Sequence, residues 1–232
     1  MTSARLKNFG KINRDKAISF TWDNKKYFGY EGDTLASALL ANDIKIIGRS
    51  FKYHRPRGIM SCGVEESGAV ITIGSESKTD PNVRATTQEL YSKIVAKGQN
   101  AFPNVNFDLG SINNYLSRFF VAGFYYKTFM GLPPFEWGKG TGIWMFFEKI
   151  IRKAAGMGTA SREPDPDNYE HAHDFCDVIV IGSGPAGVAA ALEIVNKKVK
   201  VILVEQDSLV GGDKLSEKNF DSKSIYNQLK NS

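Results

Sequence analysis

The feature that most constrains the fold is a glycine-rich turn near the carboxyl end of the sequence. Residues 177–182 read DVIVIG, a continuous apolar run of the kind that a fully buried parallel strand contains. The turn GSGPAG follows over residues 182–187, and after it come the helix-forming VAAALEIVNK and the strand-like KVILVE, which ends at Glu205. This order predicts a β-α-β unit of a Rossmann-type α/β domain.

Each glycine of this G-x-G-x-x-G motif has a predicted task. Gly182 permits the tight turn, Gly184 lets the backbone approach a diphosphate, and Gly187 lets the helix pack closely on the strand. The diphosphate would lie on the amides at the helix N-terminus, where the helix dipole favours negative charge. The predicted cofactor-binding residues are Gly182, Ser183, Gly184, Pro185, Ala186, Gly187 and Glu205.

The acid at position 205 indicates which dinucleotide the motif would bind. Glu205 follows Gly182 by 23 positions, close to the spacing of about 20 for an acid that bonds the ribose hydroxyls. An acid at this position favours NAD or FAD over a 2′-phosphorylated cofactor. The acid alone leaves NAD and FAD both open. The E-x5-GG run over residues 205–212 keeps FAD as a candidate, because it is also typical of flavin-binding folds.

The sequence ends soon after this motif. Only 27 residues follow Glu205, whereas a doubly wound sheet needs further strands to complete the site. We therefore expect a fragment of a longer polypeptide, and the alternative is completion of the fold by another chain.

The amino-terminal part has the pattern of a small α+β unit. Two β-rich runs over residues 18–30 flank the turn pair Asp23-Asn24 and predict a hairpin. Asp33 or Thr34 is the predicted cap of a helix that ends at Asn42. Residues 69–74 predict a strand, and residues 86–102 look helical.

The middle of the chain is rich in aromatic residues. Residues 102–147 hold 14 of the 27 aromatic side chains, but Lys127, Pro133, Pro134 and Glu136 interrupt the run and exclude a single membrane span. An exposed linker is predicted over 161–175. The predicted domains are therefore 1–100, 101–175 with the connector and linker, and 176–232.

The excess of basic residues near the amino terminus favours a binding partner, whereas the cysteines and histidines do not indicate a metal site. Residues 1–64 hold twelve Lys or Arg against five Asp or Glu, without the spacing of a nucleic-acid-binding motif. We predict that Cys62 and Cys176 are free thiols. We also predict that His171 and His173 are solvated residues of the linker. The cations that we expect to bind a partner's carboxylates or a cofactor phosphate are Arg49, Lys52, Arg55 and Arg57.

Five blocks of sequence carry a resemblance to a known family. In order they read GDTLASALLAN, GRSFKYHRPRGIMS, RATTQELY, AGFYYKTFM and DVIVIGSGPAGVAAALE. Together they resemble the amino-terminal part of the alpha subunit of heterotetrameric sarcosine oxidase. The resemblance implies an α+β ferredoxin-like domain without its cluster, followed by the start of a Rossmann-type FAD/NAD(P)-binding domain. Because a [2Fe-2S] cluster takes four thiolates and the loop over residues 50–67 offers only Cys62, we predict no iron-sulfur cluster.

The resemblance also implies an activity and partners. The family demethylates sarcosine oxidatively to glycine, with hydrogen peroxide and formaldehyde or 5,10-methylene-tetrahydrofolate as further products. It implies beta, gamma and delta subunits, and FAD and FMN on or with the beta subunit, while this chain would supply NAD binding and subunit assembly.

Two other functions stay open. The chain would otherwise be an FAD-binding subunit of a related amino-acid or opine dehydrogenase, or a non-catalytic assembly module. No nucleophile-base pair or carboxylate dyad is recognisable, so no catalytic residue is predicted. Because no apolar leader or span is recognisable in the sequence, we predict a cytoplasmic protein that binds neither membrane nor nucleic acid.

Overall fold

The computed structural model describes residues 5–6, 10–119, 141–154, 158–195, 197 and 199–230. The chain divides into two compact units, one built mainly from residues 12–166 and the other mainly from residues 167–232. The domain limits 1–100, 101–175 and 176–232 stay predictions. Within the described ranges, no helix combines the length and the apolar character needed to cross a membrane.

The first unit begins with the predicted hairpin. Strands β1 (Asn13–Trp22) and β2 (Lys25–Glu31) pair antiparallel, with Trp22 opposite Lys25. Asp23 and Asn24 form the turn with φ values of 44° and 65°. Asn and Asp tolerate this left-handed conformation better than most residues, and two such residues in succession suit the twist of a tight hairpin. The hairpin prediction is confirmed.

Helix α1 (Leu35–Ala41) follows at the predicted place. The Thr34 hydroxyl accepts a hydrogen bond from the Ser37 amide at 3.2 Å, so Thr34 is the N-cap, and Asn42 caps the other end. The other candidate cap, Asp33, instead accepts hydrogen bonds from the Arg5 guanidinium and the Tyr30 amide.

A five-stranded sheet carries the core of this unit. Strands β5 (Val70–Ile73), β6 (Asp80–Arg84) and β7 (Val95–Gly98) join the hairpin in the order β2-β1-β7-β5-β6, and β1 and β7 run parallel. A separate two-stranded ribbon consists of β3 (Gly48–Arg49) and β4 (Pro56–Arg57). The largest buried apolar side chains include Phe20, Leu35, Leu39, Ile47, Ile71 and Ile94.

The helix predicted over residues 86–102 is wrong. The segment forms turns and strand β7. The physical reason is that burial alternates from one residue to the next, as it does in a strand. Ile94 and Ala96 are buried, whereas Val95 and Lys97 are exposed. The predicted strand at residues 69–74 is confirmed as β5.

The connector is only partly described. It contains α2 (Ile112–Tyr115) and α3 (Thr141–Ala154), while half of the fourteen aromatic residues lie in residues 120–140, outside the described part. The described linker residues have no helix or strand, and His171 and His173 are exposed.

The second unit contains the predicted β-α-β arrangement. Strands β8 (Val178–Ile181) and β9 (Val201–Val204) pair in parallel, and helix α4 (Pro185–Val195) connects them. Helix α5 (Ser222–Lys230) follows. The prediction that β8 is fully buried is wrong: Ile179 and Ile181 are 56% and 82% exposed, because α4 covers one face of this two-stranded sheet.

Candidate functional site

The glycine-rich turn lies between the end of β8 and the start of α4. Its first residue, Gly182, has a φ of 92°, a conformation that favours glycine. The Gly182 amide donates to the Val204 carbonyl at 2.8 Å, so the turn is attached to the end of β9. The two strand ends and the turn therefore lie together.

The other two glycines of the motif differ in their surroundings. A Cβ on Gly187 would lie 2.0 Å from the Gly182 carbonyl oxygen, so a side chain does not fit there without a backbone shift. A Cβ on Gly184 would meet no atom within 4 Å. Gly187 thus permits the close contact between helix and strand, whereas Gly184 faces open space that a ligand can enter.

Helix α4 begins at Pro185, directly beside this open space. Proline suits the first helical position because it lacks the amide that would have no intrahelical acceptor there. The amides in the first turn of a helix have no intrahelical acceptors, and together with the helix dipole they form a site for an anion. Ala186 and Gly187 belong to this first turn of an 11-residue helix.

Glu205 lies against the same turn. Its Oε2 accepts hydrogen bonds from the Ser183 amide at 2.6 Å and from the Ser183 hydroxyl at 2.5 Å. The Ser183 hydroxyl is the largest cause that lowers the pKa of Glu205 to about 2, while partial burial acts in the opposite direction. Glu205 is therefore an anion at any pH near neutrality.

A second pair of glycines packs on the motif. Gly211 and Gly212 have φ values of 130° and 53°, and the Gly211 amide donates to the Ser183 carbonyl at 2.9 Å. A Cβ on Gly212 would lie 3.2 Å from the Cα of Gly184. The E-x5-GG run of the sequence thus becomes part of the same site.

Sequence reasoning included Ser183 in the motif but missed what its hydroxyl does. The side chain is fully buried and links the turn to the acid that ends β9. A serine at a variable position of the motif carries no signal for this contact.

The basic loop in the first unit has a partly internal role. The Arg49 guanidinium donates to the Val105 carbonyl at 2.8 Å and to the His54 carbonyl at 3.1 Å. Arg55 donates to the Asn114 side chain at 2.8 Å, while Arg57 is exposed. Arg49 therefore holds the loop on its neighbouring segment, instead of facing a partner as we expected.

The loop around Cys62 is organised by a buried carboxylate. Glu66 accepts hydrogen bonds from the amides of Met60 at 2.6 Å and Ser61 at 2.7 Å, and also from those of Gly68 and Ala69. Burial alone would raise the pKa of Glu66, but these four amides lower it below its ordinary value. Cys62 itself is exposed and unpaired with any other cysteine.

Two family models match the chain, one in each unit. Residues 15–101 match a 2Fe-2S iron-sulfur cluster binding domain, and residues 177–218 match an FAD dependent oxidoreductase. The second match contains the whole glycine motif and Glu205.

Curated relatives extend the similarity to almost the whole chain. The sarcosine oxidase subunit alpha of Rhizobium meliloti (strain 1021) is 50% identical over 94% of this chain. The chain is thus a homologue of part of the sarcosine oxidase alpha subunit. The same subunit of Corynebacterium sp. (strain U-96) is 31% identical over 87% of the chain. The chain spans only 21% and 16% of the lengths of these two sarcosine oxidase subunits.

A solved structure gives a weaker similarity. The crystal structure of L-proline dehydrogenase from P. horikoshii is 20% identical, with a TM-score of 0.43, and the match covers 94% of this chain and 32% of that one. The two family matches indicate that a 2Fe-2S-type ferredoxin-like domain precedes the start of an FAD-dependent oxidoreductase domain. This conclusion does not depend on the similarity to L-proline dehydrogenase. Homology to sarcosine oxidase subunits and this second domain support an oxidoreductase role.

The prediction of NAD without an iron-sulfur cluster is contradicted. The match over residues 15–101 is to a cluster-binding domain, and the match at the glycine motif is to a flavin-dependent family. The whole chain has two cysteines, Cys62 and Cys176, fewer than the four thiolates that a [2Fe-2S] cluster ordinarily takes. Within the described residues, no group of three or more His, Cys, Asp or Glu is placed to hold a metal. We therefore derive no step of the function through a cluster.

Proposed function

We propose that the turn over residues 182–187 binds the diphosphate of FAD. The observation that carries this proposal is the contrast between Gly184, which faces open space, and Gly187, which has none. The backbone at Gly184 is therefore accessible at the N-terminus of α4, where the helix dipole and the first-turn amides favour an anion. The match of residues 177–218 to an FAD dependent oxidoreductase supports FAD as the dinucleotide.

In this proposal the residues of the chain bind and orient the cofactor, and the flavin supplies the redox chemistry. Pro185, Ala186 and the three glycines form the turn, Ser183 joins it to Glu205, and the second glycine pair supports it from behind. NAD shares the adenosine diphosphate part with FAD and is the competing ligand at the same turn.

We further propose that the chain acts within an alpha subunit of sarcosine oxidase. The support is the 50% identity to the Rhizobium meliloti subunit. The proposed reaction is oxidative demethylation of sarcosine to glycine, with oxygen as acceptor and with hydrogen peroxide and formaldehyde or 5,10-methylene-tetrahydrofolate as products. The proposed partners are the beta, gamma and delta subunits of a heterotetramer, and the cytoplasmic location stays a prediction.

The cofactor proposal is tested by titrating the wild-type chain with FAD and, separately, with NAD. Calorimetry measures the heat of binding in each titration. We expect FAD to bind with one molecule per chain and more tightly than NAD. Tighter binding of NAD would contradict the FAD proposal, and absence of heat with both nucleotides would contradict dinucleotide binding at this turn. The proposed reaction is tested by measuring the turnover of sarcosine and of opines by the chain with its beta subunit. Turnover of sarcosine supports the oxidase, turnover of opines alone supports a related dehydrogenase, and turnover of neither supports a non-catalytic assembly role.

A further inference from the structure

The buried residue Ser183 holds one oxygen of the Glu205 carboxylate. Glu205 Oε2 accepts hydrogen bonds from the Ser183 amide at 2.6 Å and from the Ser183 hydroxyl at 2.5 Å. Each oxygen of an ionised carboxylate offers about two lone-pair sites, so these two donors occupy Oε2. Ser183 is fully buried, and a ligand that displaced its hydroxyl would leave a buried donor without an acceptor, which is costly.

The other carboxylate oxygen, Oε1, has a different environment. It accepts hydrogen bonds from the amides of Gln206 at 2.7 Å and Asp207 at 3.1 Å. Both residues are exposed, so water can take over the hydrogen bonds of their amides when another donor approaches Oε1. Exchange of donors at Oε1 therefore costs less than exchange at Oε2, and Oε1 is the oxygen that can accept from a ligand.

The backbone around Ser183 is fixed as well. The Ser183 carbonyl accepts the Gly211 amide at 2.9 Å, and the Gly182 amide donates to the carbonyl of Val204, the residue directly before Glu205. A glutamate side chain has several rotamers available. Because both backbones are held, the contact with Ser183 restricts the Glu205 carboxylate to one orientation.

We propose that Ser183 is a positioning residue, which holds Oε2 of Glu205 and thereby presents Oε1 to the ribose hydroxyls of the dinucleotide. This inference rests on the proposed function, because the turn must bind a dinucleotide whose ribose the motif assigns to the acid. The pKa of Glu205, lowered to about 2 chiefly by the Ser183 hydroxyl, agrees with it, since the acceptor is then ionised near neutral pH.

The first test compares two probes on the wild-type chain. ADP carries the diphosphate and the ribose that FAD and NAD share, and 2′,3′-dideoxy-ADP lacks both ribose hydroxyls. Calorimetry should give a dissociation constant at least about tenfold larger for dideoxy-ADP, because hydrogen bonds to a charged acceptor are lost. Equal constants would overturn the positioning role, since Glu205 would then receive no ribose.

The second test removes the hydroxyl and keeps the Ser183 amide. We expect Ser183→Ala to weaken ADP binding by about five- to tenfold and to leave dideoxy-ADP within about threefold of wild type. A purely structural role would weaken both probes equally, because both carry the diphosphate. Equal losses for the two probes, or no loss for either, would overturn the proposal. The comparison is made within each variant, so a change in its stability does not obscure the result.

A third test asks whether Ser183 acts through the acid. Glu205→Gln should abolish the preference for ADP, and adding Ser183→Ala to it should change ADP binding by no more than about twofold. A further loss as large as that of Ser183→Ala alone would contradict a role through Glu205.

A matched control is available in the same unit. Ser216 is exposed, and its hydroxyl donates to the Asp213 carbonyl at 2.7 Å. Ser216→Ala should keep the wild-type preference for ADP. If the wild-type chain binds neither FAD nor ADP, the proposed function fails and the positioning role fails with it. If FAD binds while ADP and dideoxy-ADP bind equally well, the proposed function stands and only the positioning role fails.

Discussion

Asp23 shows how one residue of the hairpin turn serves two needs at once. Its positive φ suits the turn, and its Oδ1 accepts the Gly98 amide of β7 at 3.1 Å. Its Oδ2 is buried and has no hydrogen-bond partner among the described residues. Burial is the largest influence and raises the pKa of Asp23, although the hydrogen bond from the Gly98 amide and the charge of Lys97 partly offset it.

This raised pKa predicts a pH dependence of stability. The folded state holds the Asp23 proton more tightly than the unfolded chain, so the residue favours folding at low pH, and this contribution is lost as pH rises through the folded pKa. Relative to wild type, Asp23→Asn should therefore gain free energy of unfolding as pH rises from below to above the ordinary aspartate pKa of about 4. Urea denaturation across this range measures the difference.

An exposed acid provides the control for this measurement. Asp43 lies at the surface and pairs only with Lys45 among the contacts described, and it too has a positive φ. Asp43→Asn reports the effect of replacing an exposed aspartate on the same measurement. An Asp23→Asn pH profile parallel to that of wild type would contradict the role of burial in the ionisation of Asp23.

At the scale of elements, the contact between α4 and β8 depends on Gly187. The carbonyl of Gly182 at the strand end occupies the space where a Cβ of residue 187 would lie. Helix and strand can approach this closely only with glycine at that position. The contact fixes the first turn of α4 over the end of the sheet, where the proposed ligand binds.

We expect Gly187→Ala to destabilise the second unit by about 1 to 3 kcal/mol, because the added methyl group overpacks a backbone contact. Hydrogen exchange of the β8 and β9 amides, measured by mass spectrometry on the intact chain, reports this loss locally. Gly184→Ala is the matched control, since its methyl group would meet no atom within 4 Å. Equal protection of the strands in both variants would contradict the packing argument.

The sequence predicted the elements whose causes are local. The hairpin follows from its turn pair, α1 from the Thr34 cap, and the β-α-β unit from the glycine motif. Strand β7 was missed because its pairing with β1 joins Thr21 to Val95, far apart in the chain, and helical composition around it outweighed the short alternation. The Ser183–Glu205 contact was missed for the same reason: it depends on the meeting of two segments 22 positions apart.

At the scale of the whole molecule, the two units carry different family matches, and the relatives are much longer than this chain. The resemblance to the alpha subunit of sarcosine oxidase was recognisable from short blocks such as HRPRG, and the 50% identity confirms it. The prediction of no cluster rested on the family resemblance and on the single cysteine of the loop over residues 50–67, and the match of residues 15–101 to a cluster-binding domain contradicts it.

The most direct test of the central claim is FAD binding by Gly184→Val, measured by calorimetry beside the thermal unfolding of the same variant. The Cβ of a valine at this position would meet no described atom within 4 Å, and its side chain would extend into the open space at the N-terminus of α4. We predict that the variant unfolds at the wild-type temperature and binds FAD at least about tenfold more weakly. Wild-type affinity in a folded Gly184→Val chain would contradict the claim that this turn holds the diphosphate.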